Sequence, residues 1–71
     1  MIRKFTVEID REEDGRFIAE IVDLSGVMAY GATRTEAILK CQALALRVLA
    51  DRLDRGEEHD TEQLELAFVA G

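Results

Sequence analysis

Residues 33–56 read TRTEAILKCQALALRVLADRLDRG, and the fold turns on this stretch. Thr33 is a good helix N-cap, and Glu36 follows three residues later, the spacing of a capping box. In that arrangement the Thr33 hydroxyl accepts from the backbone N–H near Glu36, and the Glu36 carboxylate accepts from the N–H of Thr33. No proline interrupts the run to Arg55. Gly56 suits the left-handed conformation that ends helices. Arg52 and Arg55 place cations in the last turn, where the helix dipole favours them. One long helix from Thr33 to Arg55 is predicted.

Its apolar residues are too many for one packing surface. Set at steps of about 100° around the helix, Ala37, Ile38, Cys41, Leu44, Ala45, Val48 and Leu49 gather on one side. Leu39, Ala43, Leu46, Ala50 and Leu53 form a second stripe roughly opposite. Glu36, Lys40, Arg47, Asp51 and Asp54 fill a narrow polar sector between them. A helix lying on one sheet uses a single apolar stripe. The second is expected to be an oligomer interface, meeting another copy or a partner protein; the alternative is that Leu39 and Leu46 wrap over the edge of their own core.

Outward from the helix the pattern changes to period two, the signature of half-buried strands. From Arg3 to Ile9, Phe5, Val7 and Ile9 point one way and Lys4, Thr6 and Glu8 the other. Asp14-Gly15 is a hairpin turn signal. Arg16 to Leu24 resumes as a strand, with Phe17, Ala19 and Ile21 on one face and Ile18, Glu20 and Val22 on the other. Ser25-Gly26 marks a turn, and Val27 to Tyr30 a short third strand closed by Gly31. Beyond the polar loop Glu57-Glu58-His59-Asp60, Leu64 to Val69 reads as a fourth strand, with Leu64, Leu66 and Phe68 on one side. The order is βββαβ: an antiparallel three-stranded meander, a crossover helix that allows a parallel last strand, and an α+β two-layer sandwich.

Seventy-one residues make a single domain, residues 1–71. A chain of this size buries only about 60% of its unfolded surface and is marginal alone. Cys41 is the only cysteine, so no internal disulfide staples it. Nine Lys plus Arg against fifteen Asp plus Glu give a net charge of −6, which disfavours nucleic acid and favours basic proteins as partners. No apolar run approaches a membrane span, and the N-terminal residues lack the apolar core of a signal peptide. With an unpaired thiol, a cytoplasmic protein is expected.

The candidates for chemistry are weak. Asp10, Glu12, Asp14 and Gly15 match early places of a calcium loop, but its twelfth place, a glutamate in that motif, is Ile21. Cys41 falls on the core side of the helix and should act as a small hydrophobe. His59 sits in a polar loop without a positioned partner. Glu8, Glu36 and Glu65 are too few for a metal-dependent nuclease. Arg3, Lys4 and Arg34 are too scattered for a nucleic-acid footprint. No catalytic residue, cofactor or metal site is expected, and the protein is read as not an enzyme.

Several segments occur together in a specific order: Phe5-Thr6-Val7-Glu8-Ile9, Asp14-Gly15-Arg16-Phe17-Ile18-Ala19-Glu20, Asp23-Leu24-Ser25-Gly26-Val27 and Gly31-Ala32-Thr33-Arg34-Thr35-Glu36-Ala37. Over about residues 3–69 the chain resembles the HicB-like antitoxin family, in its N-terminal domain. Ser25 stands where that family often has proline. The resemblance implies a partial, degraded ribonuclease-H-like fold without catalysis. It also implies an antitoxin that binds a small basic HicA-type toxin, which cleaves mRNA through a histidine, and masks its active site. Many family members continue into a DNA-binding domain; this chain reaches only Gly71, so direct DNA binding is not expected of it. The family's masking residues form no short motif. The open sheet face carrying Glu8, Glu20 and Val22 is the expected partner surface, with Thr33 and Glu36 opening the helix. The alternative is an orphan, stand-alone oligomeric domain that binds a small ligand or another protein.

Overall fold

The computed structural model describes residues 2–56 and 64–71. It contains β1 (Ile2–Arg11), β2 (Phe17–Glu20), β3 (Met28–Gly31), α1 (Arg34–Asp54) and β4 (Glu65–Ala70). The four strands form one mixed sheet in the order β3-β2-β1-β4. β2 pairs antiparallel with both β1 and β3, and β4 lies parallel to β1. The α1 connection makes that parallel pairing possible, because a short turn cannot return a strand in the same direction.

β1 is the spine of the sheet, and its two halves have different neighbours. Glu8–Arg11 pair with β2, whereas Ile2–Val7 pair with β4 on the opposite side. The molecule measures 44 × 20 × 16 Å.

The β1–β2 hairpin follows from its turn residues. Gly15 has φ of +91°, a value that suits glycine. Asp14 stabilises the turn by accepting from the backbone N–H of Arg16 at 3.0 Å and from its guanidinium at 2.7 Å. The second strand is shorter than its alternating pattern predicts. It ends at Glu20, and residues 22–26 form a turn instead of extending it to Leu24. The cause is Leu24 itself, which folds inward and is buried. Backbone bonds from Ile21 to Val27, Leu24 to Ile21 and Val27 to Leu24 satisfy the polar groups of this compact turn. Val22 is consequently not part of the strand face shared by Ile18 and Glu20.

The helix runs between the boundaries its sequence marks. Thr33 is extended and its hydroxyl accepts from the N–H of Glu36 at 3.1 Å. The return half of the capping box differs: the Glu36 carboxylate accepts from Lys40 Nζ at 2.8 Å, one turn further on. An i,i+4 Glu–Lys pair in this orientation is favourable on a helix surface. Arg55 is the C-cap, and Gly56 takes φ of +72° immediately after it.

α1 lies over β3 and β2 and reaches β1. Its Ala37, Cys41, Ala45 and Leu49 are buried against Phe5, Val7, Ala19, Ile21, Leu24 and Val27, with Ile38, Leu44 and Val48 packed at the margin. Phe68 of β4 extends the core through a stacked contact with Phe5, ring centroids 5.9 Å apart. No charged or polar side chain is buried among the described residues. Small residues on the helix allow the close approach. Gly31 at the end of β3 is buried, and a methyl group there would stand about 3.0 Å from the Ala37 Cα and the Glu36 carbonyl carbon. Gly31 is therefore a packing residue within β3 and not merely a strand stop.

No helix among the described residues is long and apolar enough to cross a membrane.

Candidate functional site

Among the described residues two surfaces are left uncovered, and they lie on different elements. The first is the sheet face opposite α1. Residues paired across neighbouring strands share a face, so the register places Glu8, Glu20 and Met28 in one row and Asp10, Ile18 and Tyr30 in the next. Lys4, Thr6, Ala67 and Val69 continue this face along β1 and β4. Both rows mix acidic with apolar side chains, and Met28 and Tyr30 are exposed. The Arg16 guanidinium stacks over Tyr30, 4.6 Å from the ring centroid.

β4 ends alongside Val7, where the N–H of Gly71 donates to the Val7 carbonyl at 3.0 Å. An open groove of about 700 Å³ lies on this face, lined by Glu8, Asp10, Glu12 and Glu20 together with Ile9, Arg11, Ile18 and Gly71. Four carboxylates against one guanidinium make a negative concavity. Arg11 is itself turned toward the other face, over the ring of Phe17. A surface of this composition attracts cationic groups and offers apolar contact beside them.

The structure thus brings together Glu8 and Glu20 from the expected partner face. Val22 is separated from them; it sits in the turn after β2, 64% exposed, and does not line the groove. Asp10 and Glu12 join the site instead. Their alternation with the core residues of β1 signals the shared side.

The second surface is on α1. Leu39, Leu46 and Leu53 are 60%, 48% and 42% exposed, and Ala43 and Ala50 between them are exposed as well. Neither Leu39 nor Leu46 wraps over the core of its own molecule.

No family model, curated protein or solved structure matches this chain.

The remaining candidates have ordinary structural places. Asp14, from the calcium-loop resemblance, is engaged by Arg16, whose backbone and side-chain hydrogen bonds hold its carboxyl below the usual range. Lys40 does the same for Glu36, first by its hydrogen bond and then by its charge. Cys41 is fully buried between helix and sheet, and burial raises its thiol pKa, with the charge of Glu20 adding to the shift. Glu8 is on the open sheet face, Glu36 at the start of the helix covering the other face, and Glu65 beside Ile2 at the far end of β1. Among the described residues, no group of three His, Cys, Asp or Glu side chains is placed to hold a metal ion. His59 and the loop around it lie outside the described residues.

Proposed function

We propose that this protein is a non-catalytic, antitoxin-type interaction protein whose acidic sheet face binds and masks a small basic toxin of the HicA type. The observation that carries the proposal is the acidic face of β1 and β2, where Glu8, Asp10, Glu12 and Glu20 line an open groove. Exposed Met28 and Tyr30 flank it on the same face. Charged groups of one sign attract a partner of the other and fix its orientation, while apolar neighbours supply contact area. The net charge of −6 acts in the same direction over longer range. The resemblance of residues 3–69 to HicB-like N-terminal domains supplies the class of partner. The βββαβ order with a parallel fourth strand is compatible with a partial ribonuclease-H-like fold.

The test is co-expression with a small basic ribonuclease encoded beside this chain, reading growth rescue and co-purification. Rescue that is lost on Glu8→Lys/Glu20→Lys, with the variant still folded, supports the proposal. Rescue unaffected by that double reversal excludes this face. Absence of any interaction with such a toxin removes the antitoxin role.

A further inference from the structure

The stripe on α1 has an internal order that goes beyond being apolar. Leu39, Ala43, Leu46, Ala50 and Leu53 recur at intervals of four, three, four and three, the spacing of a coiled-coil seam. Large and small residues alternate strictly along it. All five are exposed, and the seam runs along α1 away from the buried stripe.

From this we propose that the protein dimerises through α1, pairing antiparallel with a second copy of itself about a twofold axis near residue 48. The proposal concerns a different surface from the acidic groove and stands independently of the antitoxin role. Size complementarity gives the direction. In an antiparallel pair with this axis each Ala of one helix faces a Leu of the other, so Ala43 meets Leu53 of the second copy and Leu46 meets its Ala50, while Leu39 lies outside these pairs. Alternating large and small across facing positions is how helix layers fill space. A parallel pair would instead set Ala43 against Ala43 and Ala50 against Ala50, leaving gaps at two layers.

Charge gives the register. Lys40, Arg47 and Asp54 recur every seven residues along one flank of the seam. With the axis near residue 48, Lys40 lies opposite Asp54 of the second copy, twice by symmetry. Lys40 already donates to Glu36, and an ammonium has further protons to give. The two Arg47 side chains meet at the axis, each one turn from Asp51 on its own helix. Sliding the helices to the other heptad register sets Lys40 against Arg47 twice. The first register has two attractive contacts and one repulsive; the second has none attractive.

Sedimentation velocity over a range from low micromolar to several hundred micromolar reads the association, and disulfide trapping reads its geometry. Cys41 is buried and does not compete. Mixed Ala43→Cys and Leu53→Cys proteins are expected to form the mixed disulfide in preference to either symmetric one. Leu46→Glu should weaken the dimer by more than about thirtyfold, the effect of removing a central anchor, without changing the circular dichroism of the monomer. Lys40→Asp and Asp54→Lys should each weaken it, and the two together should restore it. A chain that stays monomeric throughout overturns the proposal and leaves the stripe to a different protein. Trapping of symmetric residue-43 disulfides overturns the antiparallel arrangement.

Discussion

Glu8 and Glu20 stand directly opposite one another across β1 and β2. Like charges in this position oppose strand pairing. Their retention side by side on a groove wall makes sense if a cationic partner relieves the repulsion. Replacing Glu20 by Thr should therefore raise stability by about 0.2–1 kcal/mol, measured by urea unfolding, while lowering affinity for a basic partner. A variant that is both less stable and fully competent in binding would contradict this account of the pair.

Gly31 sets how closely β3 approaches the start of α1. A Cβ at this position collides with the backbone at Ala37, which has no flexible side chain to move aside. Gly31→Ala is expected to destabilise the fold by about 1–3 kcal/mol, the usual range for overpacking. Denaturant unfolding gives the value. An unchanged midpoint would mean that the helix shifts freely at its N-terminus.

Thr33 satisfies the N–H of Glu36 at the helix start. Thr33→Ala should cost about 1 kcal/mol, and Thr33→Asp should recover most of it because an aspartate also caps and suits the dipole. Thermal melts of the two variants side by side check the order. Since Glu36 is held by Lys40 and not by the N–H of Thr33, Lys40→Ala should leave the Thr33 cap intact.

Cys41 has a pKa raised above its ordinary value of 9.0, first by burial and then by Glu20. The folded state therefore keeps the thiol proton at pH values where the unfolded chain has begun to lose it. The associated stability is complete below pH 9.0 and declines as pH rises through the folded-state value. Alkylation of the native protein should be slow at neutral pH and become rapid only on unfolding. Cys41→Ala should flatten the alkaline limb of the stability curve.

Asp14 and Glu36 act at the other end of the scale. Both carboxyls are held below their ordinary values of 3.8 and 4.5 by Arg16 and Lys40 respectively. Their support is present above those values and is lost as pH falls through the lowered ones. Both side chains are open to solvent, so the acid limb should move little in Asp14→Asn or Glu36→Gln, and added salt should reduce the difference further.

Much of the architecture was legible in the order of residues, because it rests on local geometry. Thr33, Gly56 and the absence of proline mark the helix, and the alternation of Phe5, Val7 and Ile9 marks the first strand and its buried face. The apolar excess of α1 is also visible there, since the angular positions of Leu39, Ala43, Leu46, Ala50 and Leu53 follow from helix geometry alone. The second strand was less legible. Ile18, Glu20 and Val22 alternate as though continuous, but the inward fold of Leu24 breaks the strand after Glu20, and alternation carries no record of such long-range packing.

What local pattern determined, then, was which elements exist and which of their faces are apolar: dihedral preferences and side-chain periodicity act within a few residues. Tertiary structure alone decided that β4 runs parallel to β1, that Asp10 and Glu12 join Glu8 and Glu20 around one groove, and that Gly31 must be bare. Each of these depends on contacts between residues distant in the chain, where register and steric fit, not local preference, select the arrangement.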